Sequence, residues 1–345
     1  MKEKNVLLIS PDWMGLHEDI VSGLENKGFA VDFIPEKQYP YDPFYNLNKR
    51  RKSKSVNDFL DEIQVYWERK LKQKTFDKIY DYLFVIDGQA LHPCVFSILE
   101  SRNIDIVKVN YLFDRIQGVY QFDRNFNYFD RIATFDPKDA SLFNIDLLQI
   151  YWKNSNKKSN LKYTLFGFGA YSKYRFDIYK RLSDLLPDLM DCSFLKVYYK
   201  ETSNVYIHEL KNVIRILLGY ERNINLKELK SGLVSNVPIP TDEFRAIIAN
   251  SNTIVDTSAP YQDGLTARFM WALGEEKKII TTNQVVKNYD FYTPEQILVL
   301  PESTKDYSRE LIFNFIEKEY KMPQEIRNII SHYRLDNWID KLLFG

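Results

Sequence analysis

The chain alternates short apolar runs with amphipathic stretches, and this alternation predicts strands and helices in turn. Residues 6–9 form a buried-type strand, apolar positions at helical spacing follow over residues 16–24, and residues 30–34 return to an apolar run. Gly28 stands where the helix is expected to end. A long amphipathic helix is predicted over residues 56–73. Repetition of this kind is typical of a parallel, doubly wound sheet.

The same alternation continues to the end of the chain. The first half adds predicted strands at residues 82–86, 106–109, 131–134 and 147–150, with helices near 92–101 and 137–143. The second half adds strands at residues 163–168, 194–199, 233–235, 253–255, 278–281 and 297–299. Its predicted helices span residues 172–186, 204–218, 241–250, 264–274, 306–319 and 323–343. The fold class is therefore predicted to be α/β.

A polar stretch over residues 152–160 interrupts the pattern and predicts a domain boundary. We expect two α/β domains of similar size, residues 1–155 and residues 156–345, facing each other across a cleft. The apolar face of the last helix, which includes Ile326, Ile330 and Trp338, must be buried, and we expect this helix to return to the N-terminal domain. Because ligands of open α/β sheets bind beyond the carboxyl ends of the strands, the cleft is the expected site.

The amino-acid composition disfavours several classes of protein. Among 345 residues, 47 Lys and Arg balance 47 Asp and Glu, so the chain lacks the basic excess that nucleic-acid binding requires. Cys94 and Cys192 are far apart and form no CxxC motif, which disfavours a disulfide framework or a zinc cluster. The first apolar run, residues 6–9, is too short for a signal peptide or a membrane span. These features indicate a cytoplasmic protein.

The segment from Val255 to Arg268 carries the clearest candidate chemistry. A strand is expected to end at Val255, and the polar loop that follows opens a helix near Gly264. Backbone N–H groups at a helix start bind anions, and Thr266 and Arg268 add a hydroxyl and a guanidinium. An ordinary capped helix start is the alternative interpretation.

Several stretches resemble one family of enzymes. They are Tyr261-Gln-Asp-Gly-Leu-Thr-Ala-Arg268 with Ala272-Leu-Gly274 and Lys277-Lys-Ile-Ile-Thr-Thr-Asn283, then Tyr128-Phe-Asp-Arg-Ile-Ala-Thr-Phe-Asp-Pro-Lys-Asp139, Phe166-Gly-Phe-Gly-Ala-Tyr-Ser-Lys-Tyr-Arg175 and Tyr289-Asp-Phe-Tyr292. Together they are similar to bacterial lipopolysaccharide and capsular-polysaccharide biosynthesis proteins of the CgeB-like type. The resemblance covers most of residues 5–300. It implies a GT-B glycosyltransferase with two Rossmann-like domains and identifies no particular sugar.

The resemblance also implies a donor site in the C-terminal domain. The residues that it places against a nucleotide-sugar are Gln262, Gly264, Leu265, Thr266 and Arg268. Gly167 and Gly169 would form a turn at the cleft, and Arg175 and Lys200 would neutralise the charge on the departing phosphate. The alternatives are glycines that only shape a turn and lysine or arginine side chains that are solvated.

Trp271 departs from the family pattern, because relatives often carry Glu on this helix, where a carboxylate can hold the nucleotide ribose. Trp271 is expected to pack in the core, with stacking on a base or sugar as the alternative. Loss of enzymatic activity is therefore one interpretation of Trp271.

On the N-terminal side, Asp12, Asp87 and Asp114 each follow a predicted strand and are expected to border the cleft. An inverting transferase needs one base for the acceptor hydroxyl. Asp114 is the first candidate and Asp12 the second, and we expect Asp114 to face the donor loop. A carboxylate that only caps a helix or turn is the alternative for each.

These observations predict a metal-independent hexosyltransferase or related glycosyltransferase that uses a nucleotide-sugar as co-substrate and no cofactor. The expected partners are the donor and a surface-polysaccharide or lipid-linked glycan acceptor, and no nucleic acid. The basic run at residues 49–54 suggests either peripheral contact with the inner membrane face or a solvated loop. A non-catalytic nucleotide-sugar or glycan-binding protein remains an alternative, as does an epimerase or phosphotransferase of the same architecture. Oligomeric state stays open.

Overall fold

The structure is a computed structural model. It describes residues 4–12, 15–36, 56–75, 78–116, 122–155, 160, 162–200, 212, 213, 217, 224–258 and 262–345. The basic run at residues 49–54 and most of the helix predicted over residues 204–218 lie outside the described residues.

The chain divides into two compact units. The first unit comprises Met1–Tyr151 together with His332–Gly345, and the second unit comprises Trp152–Ser331. The domains predicted from the sequence were residues 1–155 and 156–345. The division in the structure falls after Tyr151, and the last helix belongs to the first unit.

A parallel six-stranded sheet forms the centre of the first unit. Its strands are β1 (Lys4–Ser10), β2 (Phe29–Pro35), β3 (Tyr82–Ile86), β4 (Val107–Leu112), β5 (Arg131–Thr134) and β6 (Asp146–Leu147). They are arranged in the order β2-β1-β3-β4-β5-β6. Continuous apolar runs form β1 and β3 because both faces of a parallel sheet are covered. The strand predicted at residues 147–150 is confined to Asp146–Leu147.

Helices cover the first sheet on both faces. The unit contains α1 (Leu16–Asn26), α2 (Val56–Lys74), α3 (Cys94–Glu100), α4 (Phe122–Asn125) and α5 (Pro137–Phe143). Trp67 of α2 and Phe96 of α3 pack with Leu7, Ile9 and Val85 in one buried cluster. This core packs against β1 and β3, which are followed by the candidate carboxylates Asp12 and Asp87.

A second parallel six-stranded sheet forms the centre of the second unit. Its strands are β7 (Leu165–Ala170), β8 (Phe194–Tyr198), β9 (Val234–Ser235), β10 (Thr253–Asp256), β11 (Lys278–Thr281) and β12 (Ile297–Val299). They are arranged in the order β12-β11-β10-β7-β8-β9. The chain therefore runs outward from β7 in one direction and outward from β10 in the other. This is the Rossmann strand order, and its switch point lies between β7 and β10.

Among the ranges that the structure describes, the second unit contains α6 (Lys173–Leu185), α7 (Leu226–Leu229), α8 (Thr241–Asn250), α9 (Ala267–Gly274), α10 (Arg309–Glu317) and α11 (Gln324–Ser331). Crossovers in parallel sheets are right-handed, so α6 after β7 and α9 after β10 lie on opposite faces of the sheet. Accordingly, Tyr179 of α6 packs in one cluster with Ile312 of α10, whereas Trp271 of α9 packs against Phe244 of α8. The switch point is thus flanked by two helix starts.

The prediction of a single helix over residues 323–343 is wrong. The structure has α11 and, after a break at residues 332–334, a separate helix α12 (Leu335–Phe344). The break has a physical cause, because the two apolar faces are buried in different units. The Trp152 indole donates to the carbonyl of Ile330 in the second unit, whereas Trp338 packs on Tyr111 of the first sheet at 4.7 Å between ring centroids.

Candidate functional site

Three of the residues that the sequence singled out meet at the switch point of the second sheet. Gly169 lies near the carboxyl end of β7, Arg175 in the first turn of α6, and Arg268 in the first turn of α9. A Cβ atom added to Gly169 would lie 3.0 Å from Cζ of Arg175 and 3.0 Å from Nη2 of Arg268. Both guanidinium groups therefore approach the same backbone position, and the absence of a side chain at Gly169 gives them room.

Neutral oxygen atoms hold Arg175. Its Nε donates to Oγ1 of Thr257 at 2.7 Å, and its Nη2 donates to the Thr257 carbonyl at 3.1 Å. Its Nη1 donates to the carbonyl of Ala170. Within the described part of the chain, Arg175 forms no ion pair with a carboxylate.

A buried carboxylate holds Arg268. Oδ1 of Asp256 accepts from Nη1 of Arg268 at 3.2 Å and from the Thr266 hydroxyl at 2.6 Å. Its other oxygen accepts from the Thr281 hydroxyl at 3.4 Å. The side chains of Asp256 and Arg268 are 1% and 11% exposed, so this ion pair is largely shielded from water. Nε of Arg268 is buried and has no hydrogen-bond partner among the described residues.

The charges at the switch point do not balance. Two guanidinium groups meet here, the Asp256 carboxylate pairs with Arg268 and not with Arg175, and an arginine remains protonated at neutral pH. Burial lowers the pKa of Arg175, and the positive charge of Arg268 lowers it further. Both effects mean that the cationic form of Arg175 is disfavoured where it stands. A bound anion would remove this penalty, so the arrangement is suited to a phosphate group.

Replacing Gly169 with Ala should weaken phosphate binding at this position about tenfold, because an added methyl group would displace both guanidinium groups, and overpacking of this kind costs about 1–3 kcal/mol. Isothermal titration calorimetry with inorganic pyrophosphate measures the affinity. The melting temperature of the free variant shows whether the fold is retained. Unchanged affinity in a folded variant would show that Gly169 does not shape the site.

The loop before α9 is fixed by its own polar contacts. Gln262 and Thr266 are half-buried, and Gly264 and Leu265 are buried. The Asn283 amide donates to the carbonyls of Asp263 and Gly264 at 3.0 and 3.3 Å. The helix begins at Ala267, after the predicted start at residue 264, because the Thr266 side chain caps it by accepting from the N–H of Phe269. Contact between this loop and a donor stays a prediction.

The remaining donor-site candidates are Gly167 and Lys200. Gly167 is buried inside β7, where an added Cβ would lie 2.9 Å from the Tyr179 hydroxyl. The absence of a side chain at Gly167 therefore leaves room for Tyr179 to pack against the strand. Lys200 is exposed just after β8, the neighbour of β7. Trp271 is buried in the core as predicted, and its ring lies 4.3 Å from the guanidinium carbon of Arg245.

In the first unit, Asp114 follows β4 on a loop held by two buried carboxylates. Oδ1 of Asp87 accepts from the N–H groups of Phe113 and Asp114 at 2.7 and 3.1 Å, and Asp139 accepts from the N–H of Ile116 at 2.8 Å. The Asp114 side chain is exposed, and the Gln89 amide donates to its Oδ2 at 3.4 Å. The loop thus presents Asp114 to solvent on a fixed backbone.

Asp87 follows β3, and its carboxylate is buried and accepts from two backbone N–H groups, as in the alternative interpretation of a carboxylate that caps a turn. Its backbone adopts φ 57°, a left-handed conformation, and this turns its side chain towards the amides after β4. Asp12 follows β1 and is exposed, with Oδ1 at 3.8 Å from Nε2 of His17. The ring of His17 stacks on Phe33 at 4.5 Å.

Sequence reasoning missed Asp256 and Thr257, the two residues that hold the arginines. The signal was the change from apolar to polar at the end of β10, because polar side chains at strand ends of a parallel sheet often face the ligand edge. No three His, Cys, Asp or Glu side chains in the described ranges are grouped in a way that suits a metal ion. No helix in those ranges has the length and apolar composition of a membrane span.

No family model matches the sequence, and no curated protein matches it. Solved structures do match. An N-terminal domain of a Candida albicans trehalose-6-phosphate phosphatase aligns with a TM-score of 0.59 at 12% identity, over 98% of this chain and 95% of that chain. An α,α-trehalose-phosphate synthase (UDP-forming) from Burkholderia vietnamiensis aligns with a TM-score of 0.58 at 11% identity, over 98% of this chain and 95% of that chain.

An α-glucosyltransferase in complex with UDP-glucose and DNA containing an abasic site aligns with a TM-score of 0.52 at 12% identity, over 99% of this chain and 95% of that chain. At these identities the likeness shows a shared fold. The predicted fold class is confirmed: the chain has the two Rossmann-like α/β domains of GT-B proteins.

Proposed function

We propose that the protein transfers a sugar from a nucleotide-sugar donor to a glycan acceptor. The observation that supports this most strongly is the pair of guanidinium groups at the β7–β10 switch point, of which only Arg268 is paired with a carboxylate among the described residues. In this fold the switch point is the place for a nucleotide. A nucleoside diphosphate is also the leaving group of glycosyl transfer, so cations there stabilise the charge that develops in the transition state.

The donor is proposed to be a nucleoside-diphosphate hexose, with its diphosphate against Arg175 and Arg268. Two fold relatives support this class, because one is complexed with UDP-glucose and the other is named as UDP-forming. The two arginines would neutralise the leaving group without a metal ion or a resident cofactor. Lys200 and the loop from Gln262 to Thr266 are proposed as further donor contacts.

The acceptor is proposed to bind the first unit. Asp114 would accept the proton of the attacking hydroxyl, with Asp12 as the second candidate, because both are exposed carboxylates beyond strand ends of the first sheet. The resemblance of the sequence favours a surface-polysaccharide or lipid-linked glycan. We therefore propose a cytoplasmic protein that contacts the inner membrane face peripherally.

Trp271 favours one competing function. The resemblance implies a ribose-binding carboxylate on this helix, and the residue here is an indole with 2% exposure. A protein that binds a nucleotide-sugar without transferring it would tolerate such a loss. Breakdown of the donor separates the two functions, because only the transferase releases a nucleoside diphosphate.

A thermal-shift panel of nucleoside diphosphates and nucleotide-sugars tests the donor site. A ligand at one hundred times its Kd stabilises the folded state by about 2.7 kcal/mol. We expect at least one nucleotide-sugar to raise the melting temperature by several degrees, and its parent nucleoside without phosphate to have no effect. If no phosphate-bearing ligand shifts the melting temperature, the proposed donor site is wrong.

A further inference from the structure

Thr257 contacts Arg175 in a way that restricts the orientation of the Arg175 guanidinium group. A guanidinium group is planar, and contact at one nitrogen leaves the plane free to turn. Thr257 contacts two nitrogens at once, with its hydroxyl on Nε at 2.7 Å and its carbonyl on Nη2 at 3.1 Å. These two contacts define the plane of the guanidinium and the direction of its remaining N–H groups.

The position of Thr257 follows from the pairing of β10 with β7. Thr253 pairs with Leu165 and Ile254 with Phe166. Beyond these pairs, Thr257 and Gly169 both lie beside Arg175, which donates to the Thr257 hydroxyl and lies 3.0 Å from a Cβ added to Gly169. Thr257 is 1% exposed, so water does not compete for its hydroxyl. The residue therefore lies directly beside the gap into which both arginines extend.

Consecutive residues of one strand end hold the two arginines. Asp256 pairs with Arg268 from α9, and Thr257 holds Arg175 from α6 on the opposite face of the sheet. The difference between the two anchors is chemical. A carboxylate at position 257 would neutralise Arg175, whereas a threonine fixes its orientation and leaves its charge available.

We propose that Thr257 is a positioning residue for phosphate binding: its hydroxyl orients Arg175 without neutralising it, and the affinity for a diphosphate depends on that hydroxyl. This inference rests on the proposed donor site. The role differs from that of Asp256, because Thr257 would act through Arg175 and not through Arg268.

The test compares Thr257→Val, which replaces the hydroxyl with a methyl group of similar size, with Thr257→Ser, which keeps it. Inorganic pyrophosphate is the probe, and its Kd is measured by isothermal titration calorimetry. We expect Thr257→Val to weaken binding about 3- to 10-fold, the loss typical of one hydrogen bond. Thr257→Ser should bind within about twofold of wild type.

A double-mutant cycle separates positioning from a general structural effect. Thr257→Val should have no further effect on pyrophosphate affinity in an Arg175→Met background, and its full effect in an Arg268→Lys background. Equal affinity of wild type and Thr257→Val would overturn the inference, as would an equal loss in both backgrounds. If wild type binds neither pyrophosphate nor any nucleotide, the donor site itself is wrong, and that outcome is recognised before any Thr257 variant is compared.

Discussion

Replacing Asp114 with Asn is expected to lower the rate of glycosyl transfer about 100- to 10,000-fold, the usual contribution of a general base. Asparagine keeps the size of the side chain and removes its ability to take a proton. The fold should be unaffected, because Asp87 holds the loop through the backbone N–H groups of Phe113 and Asp114. Donor affinity should also be unchanged, since the base acts on the acceptor.

Turnover and donor Kd are measured on the same preparation. Asp146→Asn is the matched control, because Asp146 is an exposed carboxylate on the edge strand of the same sheet. Asp12→Asn tests the second candidate. Wild-type turnover in Asp114→Asn would exclude Asp114 as the base, and a loss confined to Asp12→Asn would assign the role to Asp12. A retaining enzyme would show a smaller loss, because there the residue only orients the acceptor.

Loss of either arginine at the switch point is expected to weaken donor binding by about 1.5–3 kcal/mol, the value of a charge-assisted hydrogen bond to phosphate. The two variants should differ in stability. Arg175→Met leaves no buried carboxylate unpaired and keeps the aliphatic stem, so the free protein should keep its stability within about 1 kcal/mol. Arg268→Ala leaves Asp256 buried without its cation, which costs about 3–5 kcal/mol.

Urea unfolding and donor titration together measure this contrast. Arg309→Ala is the control, since Arg309 is an exposed arginine of the same unit that pairs with Asp188. Arg268→Lys keeps a cation beside Asp256 and allows the binding role to be tested if Arg268→Ala fails to fold. Unchanged donor affinity in Arg175→Met and in a folded Arg268 variant would remove both residues from the donor site.

The sequence was sufficient for most of the fold because apolar periodicity is a local property. Strands such as β3 and helices such as α2 lie where their patterns predict them. The error at the C-terminus came from joining two apolar patterns into one helix. Ile326 and Ile330 share one helical face, whereas Trp338 is about 80° further round at about 100° per residue, and the two groups are buried in different units.

The candidate site was predictable to the extent that its residues have distinctive chemistry. Arg175, Arg268 and Gly169 could be singled out, because guanidinium groups and strand-end glycines suit phosphate. Thr257 and Asp256 could not, because a polar residue at a strand end does not reveal its partner: Thr257 contacts Arg175, 82 positions away in the chain, and Asp256 contacts Arg268 of the next helix. The burial of Asp87 could not be predicted either, because it depends on amides 26 and 27 positions further along the chain.

Release of a nucleoside diphosphate from a nucleotide-sugar is the most direct test of the proposed glycosyl transfer. The substrate is the nucleotide-sugar that stabilises the wild-type protein most, and release is followed with and without a glycan acceptor. We expect the wild-type protein to release the nucleoside diphosphate above the uncatalysed rate. The acceptor should raise this rate, and Arg175→Met should lower it at least tenfold. Binding of the donor with no release in either condition, or release equal in wild type and Arg175→Met, would contradict the proposed glycosyl transfer.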